Sequence, residues 1–282
     1  LGDVYKRQMA FRCSRKTQSE KKDNKMEKLW NSFKIAFSMY SKIPMPASDW
    51  KKENMRYIMC FFPLIGVIIG GVVWLWGFYG RYLTESRGFY AMIFVMIPVF
   101  LTGGIHLDGL LDTSDAIHSY QSRERKLEIL KDSHAGAFAI ITAVVYFFLY
   151  YGMYHEITLQ SLPVVCIGFV LSRALGSFSI ASFPMAKNTG LAATFSDGAQ
   201  KNCVRIVSCV YVILCVCAML AYSPVIGACA VTGAALEYWY YYKMSMKEFG
   251  GITGDLAGFH MQICELVIAF SCVIGESISR MI

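Results

Sequence analysis

Charge is what this sequence has little of. Asp, Glu, Lys and Arg make up 17% of its 282 residues, while 55% are hydrophobic and 15% aromatic. A soluble domain carries about 25% charged residues, so there are too few here to coat a water-soluble globule of this size. The cysteines, ten in all, lack the spacing of a redox or zinc site. Cys60, Cys166, Cys209, Cys215, Cys217, Cys229, Cys264 and Cys272 lie inside apolar runs, where a free thiol packs as a small hydrophobe. No internal repeat is present. No apolar segment follows the N-terminal charges before Leu29, so no signal peptide is expected there. Together these features exclude a disordered chain, a collagen and a disulfide-stapled secreted domain. A polytopic membrane protein remains.

The formal net charge of +7 is unevenly placed. Residues 1–57 hold 14 Lys and Arg against 6 Asp and Glu; the remainder is nearly neutral. A basic leader of this kind suits the cytoplasmic face of an anionic bilayer. No basic stripe interleaved with aromatics follows, so nucleic acid is not an expected partner. Residues 1–25 are expected to be an extraneous or disordered leader, with a single membrane-embedded domain over 26–282.

The sequence predicts an all-α fold: a helical membrane bundle of about seven spans with a cytoplasmic N-terminus. Residues 29–43 place Leu29, Trp30, Phe33, Phe37 and Tyr40 at helical spacing, and read as a helix lying in the membrane interface, ended by Pro44 and Pro46. Apolar runs then cover 58–79, 89–107, 135–154, 162–186, 203–223, 225–242 and 259–278. Loops after the second, fourth and sixth runs carry Arg123, Arg125, Lys126, Lys131, Lys187, Lys201, Arg205, Lys243 and Lys247. The opposite loops carry few basic residues, in line with the positive-inside bias. All motif-like sequence then falls on one side, in 102–136, 184–202 and 248–260.

The densest motif is TGGIHLDGLLDTSDAIHS, residues 102–119. Asp108, Asp112 and Asp115 share one face of a helix there. Three carboxylates on one face call for a neutralising cation, and oxygen-only ligation favours Mg2+. A solvated acidic helix end is the plainer alternative. His106 and His118 can be ligands, acid–base groups or structural residues. In LEILKDSHAGAFA, Lys131 can meet a phosphate, and Asp132 a metal, or Asp132 and Ser133 can cap the next helix. Arg173 lies inside an apolar run and needs an anion, either a substrate phosphate or Glu237 or Glu265. The segment 247–266 opens a helix with Gly250, Gly251, Thr253, Gly254, Asp255 and Gly258. Backbone N–H groups at such a helix start suit phosphate, and Glu265 adds a further carboxylate.

These segments together resemble the cobalamin synthase family, the membrane adenosylcobinamide-GDP ribazoletransferases. The pieces that match are SKIPMP with FFPLIG, TGGIHLDGLLDTSDA, LEILKDSHAGAF, LSRAL at 171–175, TGLAATFSDG at 189–198 and GGITGDLAG, in order over roughly 41–266. The chain departs from the family at Ala116, at Leu256–Phe259 and at Gln262. The resemblance implies that α-ribazole, or its 5′-phosphate, attacks adenosylcobinamide-GDP to release GMP, with Mg2+ as cofactor, in the cytoplasmic membrane of a prokaryote. It implies Asp108, Asp112 and Asp115 as metal ligands and Asp132 or His106 as proton acceptor. Lys131, Arg173, Gly251, Thr253, Gly254, Asp255 and Glu265 become the expected substrate contacts. Expected partners are these small molecules and the lipid bilayer, and homo-oligomerisation is left open. Two rivals remain: another Mg2+-dependent membrane phosphotransferase of the CDP-alcohol type, and a cation-coupled transporter.

Overall fold

A computed structural model describes residues 26–48, 50–132, 134–186 and 200–282. The leader over 1–25, Ser133, Lys187 and the TGLAATFSDG segment lie outside the described residues. Among the described residues the fold is helical throughout, with one isolated parallel bridge between Met185 and Ile252.

Helix α1 covers 26–40. Its apolar face buries Ile35, Ala36 and Phe37 and leaves Trp30 exposed. Phe33 packs edge-on against Phe61 of the next helix, so α1 is held to the bundle by aromatic contact as well as by amphipathicity. Its last turn is tied off where the Ser41 hydroxyl donates to the Phe37 carbonyl (2.6 Å), before Pro44 and Pro46 prevent continuation.

The long helices are α2 (Ile58–Leu83), α3 (Arg87–Thr102), α6 (Ala137–Glu156), α7 (Leu162–Ser182), α8 (Lys201–Tyr222), α9 (Pro224–Met244) and α10 (Gly254–Ser279). Five of them are long and apolar enough to cross a membrane, or six crossings result if α3 and the short helix after it count as one broken span. The seven runs read from the sequence all form helices. Two fall short as spans for identifiable reasons. α3 has 16 residues, below the ~20 that cover the hydrocarbon. α9 has 21 residues, but its final part reads Glu237-Tyr-Trp-Tyr-Tyr-Tyr-Lys243 and dilutes its apolar character.

The second run ends earlier than its hydrophobicity suggests. Gly103 and Gly104 both take left-handed backbone angles, φ 67° and 78°, which L side chains adopt only with strain. The chain turns by 95° there and continues as α4 (Ile105–His118). Ile105, His106 and Leu107 therefore belong to this second helix, turned away from α3, and not to α3 itself. A short helix α5 (Arg123–Ile129) follows, with the Ser122 hydroxyl accepting the Arg125 N–H at its start.

One end of the bundle gathers the segments singled out by sequence. The Lys42 N–H bonds the Leu101 carbonyl, joining the end of α1 to the end of α3. The Gln200 N–H bonds the Arg56 carbonyl, and Arg205 donates to the Ala181 carbonyl, so the starts of α2 and α8 meet the end of α7. A five-residue π-helical turn, Ser245–Phe249, extends α9 and presents Glu248 to Lys126 of α5 at 2.5 Å.

Candidate active site

The site is built where α4 crosses the start of α10. The crossing is close because both helices carry glycine at the contact. A Cβ on Gly109 would stand 2.6 Å from the Asp255 carbonyl oxygen, and one on Gly258 3.0 Å from the His106 carbonyl oxygen. Gly251 serves a similar end beside it. A Cβ there would run into the backbone of 184–186, where the Ile252 carbonyl accepts the Ala186 N–H and the Ile252 N–H donates to the Pro184 carbonyl in the parallel bridge. The Thr253 hydroxyl then caps α10 by accepting the Leu256 N–H at 3.2 Å. Thus the glycine-rich loop positions a long helix with its positive N-terminal end toward α4.

A cavity of about 310 Å³ opens at this junction. Asp108, Lys131, Thr253, Gly254 and Asp255 form its polar part, and His106 lies in its wall. Six of the expected site residues therefore share one cavity. The apolar part is drawn from α1, α2, α7 and α10, including Tyr40 and Phe62. The contribution of α1 had no counterpart in the sequence reading, because nothing in its heptad-like spacing says which helix it meets.

The three acids of α4 do not behave alike. Asp112 is pushed up to about 7, first by burial and then by Asp108, Asp255 and Asp115. Among the described residues no Lys or Arg forms an ion pair with Asp108, Asp112 or Asp115. Asp115 faces a different neighbour. Its carboxylate accepts the Gly136 N–H at 2.6 Å and the Ala139 N–H at 2.8 Å, and so caps α6 from outside that helix. Asp255, expected to contact substrate, is the acid from α10 that joins the Asp108–Asp112 group.

Both candidate proton acceptors are placed differently from one another. Asp132 is exposed and bonded to its neighbour His134, accepting the His134 N–H at 3.0 Å and meeting Nδ1 at 2.7 Å; its carboxyl is lowered chiefly by His134. Asp132 is not among the residues that line the cavity. His106 is buried between Tyr40, at a ring-centroid distance of 5.9 Å, and Phe62, at 5.6 Å. Burial, followed by the charge of Arg173, lowers its imidazole to about 3, so the ring is neutral and a weak base. His118 stacks on Phe138 at 4.7 Å and bonds the Ser114 carbonyl, holding α4 against α6.

Arg173 finds its anion in the protein. Nη1 meets Glu265 Oε1 at 2.6 Å and donates to the Phe169 carbonyl at 2.9 Å, with side-chain exposures of 0% and 2% for the pair. Neither residue lines the cavity. A second buried pair lies nearby on α9 and α10, where His260 Nδ1 and Glu237 Oε2 are 2.8 Å apart. The Lys126–Glu248 contact was also unforeseen, because 122 residues separate the partners and no local pattern connects them.

The chain matches the family model described as cobalamin-5-phosphate synthase over residues 32–273. It is 47% identical to an adenosylcobinamide-GDP ribazoletransferase of Lachnoclostridium phytofermentans, over 88% of this chain and 95% of the relative. A relative of the same name from Clostridium botulinum is 32% identical over 87% of this chain and 98% of its own length. Another from Fusobacterium nucleatum is 31% identical over 84% and 95%. No solved structure matches the chain. With the family model covering most of its length, the chain belongs to the cobalamin-5-phosphate synthase family.

Proposed function

We propose that this chain is an adenosylcobinamide-GDP ribazoletransferase of a prokaryotic cytoplasmic membrane, with its site on the cytoplasmic side. The observation that carries the reading is the cavity in which Asp108 of α4, Lys131 and the N-terminus of α10 meet, in a chain of this family. The 3′-hydroxyl of α-ribazole, or of its 5′-phosphate, attacks the phosphorus linked to cobinamide. The new O3′–P bond forms as the P–O–P bridge breaks. GMP leaves with the bridging electron pair, and the hydroxyl proton is lost.

The donor types suit Mg2+, since they are all carboxylate oxygen, and the raised Asp112 is consistent with the mutual repulsion of Asp108, Asp112 and Asp255. Asp108, Asp112 and Asp255 would hold the ion. When bound, the ion offsets diphosphate charge in the transition state. Lys131 supplies a fixed positive charge at the cavity, and the N–H groups at Gly254 and Asp255 face the anion from the helix start. Phosphoryl transfer of this type depends more on positioning and charge than on a strong base. That suits a cavity whose histidine is neutral and whose acids are Asp108 and Asp255. Asp115 acts one step removed, by fixing the start of α6. Lys and Arg cluster in the loops at the site's end of the bundle, which supports a cytoplasmic orientation. A transporter would need repeated halves and broken helices at matching positions, and the sequence has no such repeat. Membranes containing the protein, given Mg2+, adenosylcobinamide-GDP and α-ribazole, should release GMP. No GMP above membranes lacking the protein would overturn the reading, and activity undiminished by EDTA would remove the metal.

A further inference from the structure

The cavity at this site belongs to a reaction whose substrates carry three bulky parts: a corrinoid, a guanosine and the base of α-ribazole. Its chemistry is uneven enough to choose among them. Beyond the polar rim, the wall is formed by Met39, Tyr40, Met59, Phe62, Ile180 and Met261. A volume of about 310 Å³ is at the small end of ligand pockets, which run ~300–1,000 Å³. A corrinoid with its amide side chains needs far more room. Guanine presents donors and acceptors along its whole edge, and this wall would leave them unpaired at a cost in affinity. The base of α-ribazole is a flat dimethylbenzimidazole. It has an apolar rim and one unsubstituted ring nitrogen, which accepts a hydrogen bond.

His106 supplies the matching group. It lies in the cavity wall with Tyr40 and Phe62 packed against it, and its Nε2 is buried with no hydrogen-bond partner among the described residues. An imidazole ring has an N–H to donate whether it is neutral or protonated.

We propose that the apolar part of this cavity is the subsite for the heteroaromatic base of α-ribazole, with the His106 imidazole donating to its unsubstituted ring nitrogen. The aromatic and methionine side chains grip the ring faces, and the ribose reaches the rim where Asp108, Lys131 and Asp255 meet the diphosphate. His106 is then a specificity residue and takes no proton in the reaction. The inference rests on the ribazoletransferase reading, and its test keeps the two apart.

Equilibrium dialysis of α-ribazole against purified protein reads the subsite without turnover, and GMP release reads the reaction. Ile180→Phe places a ring in the cavity. It should weaken α-ribazole binding at least tenfold and leave adenosylcobinamide-GDP binding within twofold. If Ile180→Phe loses both ligands through misfolding, Met185→Trp, at a half-buried lining position, puts the same question. Weakened adenosylcobinamide-GDP with unchanged α-ribazole would overturn the subsite, as would wild-type protein that does not bind α-ribazole. Binding lost in the variant supports the subsite even if wild type releases no GMP, in which case the reaction assigned above is what fails. For His106, the probe is the α-riboside of the matching indole, in which CH replaces the ring nitrogen. Wild type should prefer α-ribazole at least tenfold, and His106→Phe should erase the preference. A preference that survives the substitution would remove His106 from the subsite.

Discussion

Breaking the Arg173–Glu265 pair should cost stability and spare substrate affinity. Both side chains are buried, their contact is 2.6 Å, and Ser172 adds a hydrogen bond to Glu265 at 3.2 Å. Removing one member leaves the other charge buried and unpaired, which costs about 3–5 kcal/mol, whereas replacing both by packed apolar groups is often near neutral. Arg173→Met should therefore lower the unfolding free energy by about 3 kcal/mol or more. Arg173→Met with Glu265→Leu should recover most of that loss. Unfolding by SDS in mixed micelles measures both, and steady-state kinetics on the same preparations measure KM. The KM for adenosylcobinamide-GDP should stay within a factor of about three, since neither residue lines the cavity. A single variant of normal stability with a sharply raised KM would refute the argument and return Arg173 to the diphosphate.

Gly109→Ala should lower turnover at least tenfold, because its Cβ would stand 2.6 Å from the Asp255 carbonyl and force α4 off α10; overpacking of this sort costs ~1–3 kcal/mol, and an unfolding titration should show it. Asp115→Ala removes the acceptor for two N–H groups at the start of α6; loss of a cap costs about 1–2 kcal/mol. If Asp115 only positions α6, the Mg2+ concentration for half-maximal activity should move less than twofold in Asp115→Ala, while Asp112→Ala should raise it steeply. Glu248 is held below the usual carboxylate range, chiefly by its hydrogen bond to Lys126. Its contribution is present above the unfolded carboxylate value of about 4.3 and is lost as pH falls through the lower folded value. Glu248→Gln should be less stable at pH 7 and lose less stability than wild type on acidification; equal acid sensitivity would exclude the pair as a source.

The fold was legible wherever hydrophobicity and length carried the information. All seven apolar runs became helices, since a stretch without charge in lipid has no other way to satisfy its backbone. The errors lie where backbone geometry overrides composition. The run 89–107 is continuous in hydrophobicity, yet Gly103 and Gly104 break it because two adjacent left-handed residues end one helix and redirect the next. α10 begins five residues before its apolar run, since the Thr253 cap sets its start and hydrophobicity does not. The aromatic C-terminal part of α9 shows the converse, where a run of adequate length is weakened as a span by its own tyrosines.

The site was legible as a set of segments and illegible as a set of partners. Helical spacing puts Asp108, Asp112 and Asp115 on one side of α4, but a helix face is wide enough to meet two neighbours. Asp112 feels the charge of Asp255 on α10, and Asp115 bonds the amides of α6. Arg173 poses the same problem in sharper form. A buried guanidinium demands an anion, and the sequence offered a substrate or either of two glutamates. Glu265 lies 92 residues away and meets it only because α7 and α10 pack together. The glycines carried more position than their weak motif suggested. Gly109 and Gly258 sit in different motifs, and each is small because the other's helix passes there. Paired glycines in two distant acidic or phosphate-type motifs therefore point to a crossing between them. In this chain that crossing sets the cavity where the acids, the helix N-terminus and His106 come together.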